Sequence, residues 1–139
     1  MSRVQLALNV SDVDAAVEFY SRLFGVGPAK RRPGYANFAI DEPALKLVLI
    51  ENADAPATLN HLGVEVSSPG EVVAAQARLA GEGLETTPED GVSCCYAVQD
   101  KVWVSDPDGA PWEIYTVLAD ADTMGPSAVG SSGDVCCAG

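Results

Sequence analysis

The sequence predicts an α+β chain built from two tandem modules of βαβββ order, and three observations carry that prediction. A short segment recurs, Gln5-Leu6-Ala7-Leu8-Asn9-Val10-Ser11 lining up with His61-Leu62-Gly63-Val64-Glu65-Val66-Ser67 at an offset of 61 − 5 = 56 residues. A helical apolar face follows each copy, and strand-like runs separated by turn residues follow each helix.

Both copies of the repeated segment alternate apolar with other residues, the pattern of a half-buried strand. After the first, Val13, Ala16, Val17, Tyr20, Leu23 and Phe24 recur at helical spacing and form one apolar face, with Ser11 or Asp12 placed to cap the free N–H groups and Gly25 to stop the helix. Tyr35 to Ile40 and Leu45 to Ile50 then read as strands around the turn Asp41-Glu42-Pro43. The second module opens its helix with Ser68-Pro69-Gly70-Glu71, a capping box with proline at the first helical position, and runs through Val72, Ala75 and Leu79 to Gly81. Its strands are Lys101 to Ser105 and Trp112 to Val117, around Asp106-Pro107-Asp108-Gly109. Aligning the two turns places Lys46 opposite Glu113 and leaves the second half longer between Gly83 and Lys101, around Cys94 and Cys95. Each half is amphipathic and too small to bury its own faces, so two must pair. The expected organisation is a single domain over residues 1–118, with module 1 over 3–52 and module 2 over 58–118. A tail over 119–139, rich in Asp, Gly, Ser and Ala without periodicity, is expected to be flexible.

Composition narrows the partners. The 139 residues are 47% apolar and 20% charged, as in ordinary soluble domains. A net charge of −12 repels phosphate backbones and anionic lipid headgroups, which argues against nucleic acid and membrane surfaces. Apolar runs such as Leu47 to Ile50 are far short of the roughly 20 residues of a bilayer span, and no basic stretch leads into an apolar one at the N-terminus, so a cytoplasmic location is expected. The four cysteines form two adjacent pairs, Cys94-Cys95 and Cys136-Cys137. Neighbouring Cα atoms about 3.8 Å apart strain a disulfide within a pair, so reduced thiols are expected, and neither pair has the spacing of a structural zinc site.

The duplicated order, together with Ala16-Val17-Glu18-Phe19-Tyr20-Ser21-Arg22-Leu23-Phe24-Gly25, His61-Leu62-Gly63-Val64 and Asp106-Pro107-Asp108-Gly109-Ala110-Pro111-Trp112-Glu113, resembles the vicinal oxygen chelate superfamily. That resemblance implies that the two modules form a cupped mixed sheet around a metal or ligand. Within such a cup, module symmetry sets Gln5 and His61 at equivalent strand starts, with Glu113 on a later strand. Imidazole, carboxylate and amide oxygen make a three-ligand set with open positions, suited to Fe(II). Alone, His61 reads as a hydrogen-bonded core histidine, Glu113 as an exposed strand carboxylate and Gln5 as an ordinary strand-end residue; the pairing of His61 with Glu113 favours metal. Glyoxalase isomerases of the superfamily use a second glutamate, and a cation at Lys46 argues against such a four-ligand site.

Adjacent residues of a regular strand point to opposite faces, so Cys94 and Cys95 can grip one atom only from a loop or bulge. Two thiolates match the two exchangeable oxygens of a trivalent organoarsenical. The stretch 91–104, read with 33–40 and 59–65, resembles the bacterial organoarsenical carbon-arsenic lyases and their relatives described as cadmium-induced proteins. The resemblance implies Fe(II)- and dioxygen-dependent cleavage of methylarsenite and trivalent aromatic arsenicals to inorganic arsenite, an arsenic detoxification. Gln5, His61 and Glu113 would hold iron, for which nickel or cobalt can substitute, and Cys94 and Cys95 would hold arsenic. Tyr96 and Val98 would line the pocket or merely pack in the strand, and Cys136 and Cys137 would deliver arsenic or form a dispensable end. Two other readings stay open: thiol-based sequestration of cadmium or arsenite without catalysis, and a metal-free resistance-type ligand-binding module. The modules either close one cup within a chain or share cups across a homodimer.

Overall fold

A computed structural model of the protein describes residues 2–124. The elements run β1 (Arg3–Val10), α1 (Val13–Phe24), β2 (Lys30–Arg32), β3 (Tyr35–Ile40), β4 (Leu45–Glu51), β5 (Leu59–Glu65), α2 (Pro69–Gly81), β6 (Thr87–Cys94), β7 (Ala97–Ser105) and β8 (Pro111–Asp120). Two βαβββ modules are thus present, as expected. The strands missing from the sequence reading are β2, which has three residues, and β6, which carries Pro88 and Gly91 and lacks alternation.

All eight strands share one mixed sheet in the order β2-β3-β4-β1-β5-β8-β7-β6, curled into a half-barrel. Each module contains a parallel pair, β1 with β4 and β5 with β8, and the modules join through antiparallel β1 and β5. In module 1 the helix covers the convex face, where Val13 packs with Ala36, Phe38, Ile40, Leu47 and Leu49. On the concave side Ala7, Tyr35, Val48 and Ile50 meet Cys94 from the other module. Burial from both sides explains why Leu47 to Ile50 is apolar without alternation.

The helix ends follow local chemistry. Asp12 caps α1 by accepting from the N–H groups of Asp14 and Ala15, and Gly25 ends it in the left-handed region at φ 72°. Ser68 caps α2, and the Glu71 carboxylate accepts from the N–H of Ser67. The folded unit runs past the expected boundary at 118. Strand β8 continues to Asp120, and the carbonyls of Thr123 and Met124 accept from the N–H groups of Tyr96 and Cys95. Backbone pairing holds these residues despite their lack of apolar periodicity. Among the described residues no helix is long and apolar enough to cross a membrane.

Candidate functional site

The side chains of Gln5, His61 and Glu113 come together on the concave face from three adjacent strands. Gln5 Nε2 donates to Glu113 Oε2 at 2.6 Å and lies 3.2 Å from His61 Nε2, while His61 Nε2 stands 3.0 Å from Glu113 Oε2. All three residues are buried. Gln5 belongs to module 1 and the others to module 2, so the set draws on both modules of the one chain. Gly63 is the pairing partner of both Gln5 and Glu113. A Cβ there would lie 2.9 Å from Glu113 Cγ and 3.1 Å from Gln5 Nε2, so glycine is required by the close approach of the neighbouring side chains.

A second layer fixes these groups. Asn60 Oδ1 lies 2.7 Å from His61 Nδ1, and Asn60 is itself held by its Nδ2 donating to Asn9 Oδ1 at 3.0 Å. With Nδ1 turned to an acceptor, Nε2 is the ring atom that faces Glu113 and Gln5. The Tyr115 hydroxyl donates to Gln5 Oε1 at 2.6 Å. Lys101 Nζ approaches Glu113 Oε1 at 2.8 Å, an ion pair without hydrogen-bond alignment, and lies 5.3 Å from the centre of the Trp103 ring. Trp103 in turn meets His61 edge to face, ring centres 5.4 Å apart.

Burial alone would push the Glu113 carboxyl up; the Lys101 ammonium and the His61 imidazole outweigh it and hold the group well below the usual carboxylate range. Burial, then the charge on Glu113, keeps the Tyr115 phenol well above its ordinary value. Tyr35 is pushed up to about 12, again chiefly by burial and against a hydrogen bond from Asn37. Both phenols therefore keep their protons near neutrality.

The donor set fits a metal ion. Two ligands each about 2.1 Å from one ion at a right angle stand about 3.0 Å apart, which is the spacing among these three side chains. Ligation by Gln5 requires its amide turned over, Oε1 toward the ion and Nε2 toward the Tyr115 hydroxyl, which accepts as readily as it donates. Among the described residues no three His, Cys, Asp or Glu gather as a metal site, so a third protein donor to an ion held by His61 and Glu113 would be the amide of Gln5.

The sheet register corrects one equivalence. Gln5 pairs with Lys46 and Gly63 with Glu113, so Val48, two residues beyond Lys46, stands to Gln5 as Glu113 stands to His61. The place of a fourth ligand is filled by an apolar side chain rather than a cation. Turn residues misaligned the modules because the loops differ in length while the ladders do not.

Cys94 ends β6 and pairs with Ala97 at the start of β7. Between them Cys95 and Tyr96 both take left-handed backbone, φ 55° and 62°, the geometry of a tight two-residue hairpin turn and one that side chains other than glycine rarely adopt. The expected departure from regular strand is present. The two Sγ atoms lie 3.6 Å apart, within the about 4.6 Å that two bonds of thiolate–zinc length can span. Cys94 is fully buried against Ala7 and Tyr35. The expectation of reduced thiols is overturned: neither sulfur is a free thiol, both being in disulfide linkage and, at that separation, not with each other. The strain argument bears only on a bond within an adjacent pair. Tyr96 packs on Tyr35 with ring centres 5.2 Å apart and lies under the Arg32 guanidinium, at the edge of the concave cluster. Val98 lies on the face opposite Ala97, because strand alternation in β7 turns 97, 99, 101 and 103 inward, and so it does not line the cup. Cys136 and Cys137 lie outside the described residues.

Lys101, Tyr115, Asn60 and Gly63 were missed by sequence reasoning. For Lys101 and Tyr115 the available signal was period-2 alternation, which places them on the face of Trp103 and Glu113. A depression of about 620 Å³ beside Asn9, Asp12, Phe19 and Asn52 contains none of the expected site residues.

Comparison with known proteins agrees with this fold. The profile of the Glyoxalase/Bleomycin resistance protein/Dioxygenase superfamily matches residues 3–114. A cadmium-induced protein, CadI, of Mycobacterium tuberculosis is 64% identical over 125 residues, covering 90% of this chain and 82% of its own. A trivalent organoarsenical cleaving enzyme of Thermomonospora curvata is 63% identical over 125 residues, covering 89% and 83%. Among solved structures, an extradiol ring-cleaving dioxygenase from B. fuscum matches with a TM-score of 0.63 and 22% identity over 88% of this chain, which spans 34% of that longer one. The Mn(II)-bound glyoxalase from Novosphingobium aromaticivorans matches with a TM-score of 0.60 and 21% identity, covering 92% and 44%. Duplicated modules, a concave site of His61, Glu113 and Gln5, and a profile match across most of the folded region lead to one assignment: the chain belongs to the glyoxalase/bleomycin resistance/dioxygenase superfamily.

Proposed function

We propose that the protein is an Fe(II)- and dioxygen-dependent enzyme that cleaves the carbon–arsenic bond of trivalent organoarsenicals, methylarsenite and aromatic arsenites among them, to inorganic arsenite. The observation that carries this reading is the presence, on one concave face, of a three-donor cradle and of two sulfurs 3.6 Å apart. The name of the Thermomonospora curvata relative supports the substrate class.

Gln5, His61 and Glu113 would hold the iron, which supplies open coordination positions and the means of activating oxygen. The rest is work for the chain's own residues. Lys101 neutralises and aims Glu113, Asn60 aims His61, and Tyr115 orients the amide of Gln5. Cys94 and Cys95, once reduced, replace the two exchangeable oxygens of the arsenical and leave its carbon substituent free. Holding arsenic by two bonds turns an encounter into a positioned reaction. Because disulfide sulfur cannot make that exchange, turnover requires a reductant.

The test is anaerobic reconstitution of the reduced protein with Fe(II), followed by oxygen and methylarsenite. Release of inorganic arsenite with oxygen consumption is expected. Tight arsenical binding with neither oxygen uptake nor arsenite release would replace catalysis by sequestration.

A further inference from the structure

A cavity of about 230 Å³ opens on the concave face beside the sulfur turn, with Cys95 on one side and Arg3, Lys30, Asn37, Lys46 and Glu65 among its other walls. It is smaller than the about 300 Å³ at which pockets for drug-sized ligands begin, so it suits a single substituent rather than a large molecule. Its charges are unequally matched. Arg3 pairs with Glu65 at 2.7 Å, and Lys30 pairs with Asp120 at 2.9 Å while also donating to the Tyr96 carbonyl. Lys46 forms no ion pair or hydrogen bond among the described residues; its ammonium lies 5.3 Å from the centre of the Tyr115 ring. The pocket therefore carries one cation in excess, in a chain whose net charge is −12. Burial disfavours that charge more than Glu65 favours it, so an anion arriving beside Lys46 offsets a standing cost.

The geometry points to this cavity as the seat of the organic substituent on arsenic, with Lys46 selecting aromatic substituents that carry an acidic group. Arsenic held by Cys95 projects its remaining bond from the wall of the cavity, and Gln5, the pairing partner of Lys46, places the cavity floor directly beside the cradle. An aryl ring fills the apolar space between Ala39, Ala97 and Val117, and a carboxylate or phenolate on that ring reaches the unmatched ammonium and the Asn37 amide. This inference rests on the proposed role of the sulfurs and adds to it a preference among substrates.

The experiment measures Kd by tryptophan fluorescence on the full chain, reduced and kept free of metal and oxygen, with phenylarsenite and 4-carboxyphenylarsenite as probes. The carboxylated probe is expected to bind about tenfold more tightly, as a charge-assisted contact allows. Lys46→Met is expected to bring the ratio of the two Kd values to about one and Lys46→Arg to preserve it. Equal binding of both probes by the unaltered chain, or an unchanged ratio in Lys46→Met, overturns the inference while leaving the sulfur assignment intact. Failure of the reduced chain to bind either probe overturns the sulfur assignment, and this inference with it.

Discussion

Module 1 buries hydrocarbon on both faces of its strands, whereas module 2 buries charge. In the first half Leu47, Val48, Leu49 and Ile50 are enclosed between α1 and the cup, and the site receives from it only the neutral amide of Gln5. In the second half His61, Gln99, Lys101 and Glu113 are all buried on the concave side. The two halves share an element order, so the fold does not require this asymmetry. It teaches that a duplicated scaffold can keep one copy for packing and give the other to chemistry, provided the buried charges come matched. Lys101 supplies that match: without it the Glu113 carboxylate would face only the His61 imidazole and the neutral Gln5 amide.

The sharpest way to break the comparison is to remove the groups that module 2 alone contributes. His61→Ala or Glu113→Ala should weaken metal binding roughly a hundredfold or more and abolish turnover, yet leave arsenical binding to the reduced sulfurs. Cys94→Ala or Cys95→Ala should abolish turnover while metal still binds. Metal titration and arsenite release measure the two properties separately, and their equal loss in all four variants would refute a division of labour between cradle and turn.

Next in size is the charge match itself. Lys101→Met should destabilise the metal-free protein by about 3–5 kcal/mol at pH 7, the cost of a buried charge deprived of its partner, as read by urea denaturation. The Glu113 carboxyl sits lower in the folded chain than its ordinary 4.5, so the unfolded chain takes up the proton first. The stability it contributes is present above that unfolded value and is lost as pH falls toward the folded one. The deficit of Lys101→Met should therefore shrink on acidification below about pH 4.5. A deficit independent of pH would mean that Lys101 acts through packing alone.

A smaller change tests the close approach between modules. Gly63→Ala should push Glu113 or Gln5 out of line and cost about tenfold in metal affinity with little loss of secondary structure, measured by metal titration and circular dichroism. The smallest expected effect is in module 1, away from the site: Asp12→Ala removes the cap of α1 and should cost about 1 kcal/mol by thermal denaturation, with metal affinity unchanged.

Much of this arrangement was legible in the residues. The repeat, the two capped helices and the alternation of β1 and β5 are local signals, and the pairing of Gln5 with His61 follows from symmetry because both stand at the same place in equivalent strands. Lys101 was legible only in retrospect: a lysine on a strand ordinarily points to water, and nothing local shows that its face is the inside of a cup. The turn at Cys95 and Tyr96 was expected as an irregularity, although its left-handed backbone was not, since neither residue is glycine or asparagine.

The sequence by itself determined which segments become helices and strands, and in what order, because hydrophobic period and cap chemistry act over a few neighbouring residues. Only the tertiary structure decided the register that sets Val48 rather than Lys46 opposite the cradle, the inward turn of Lys101, and the state of the two sulfurs. Each of these depends on contacts between residues far apart in the chain, and a strand's neighbours, unlike its own alternation, are chosen by the packing of the whole sheet.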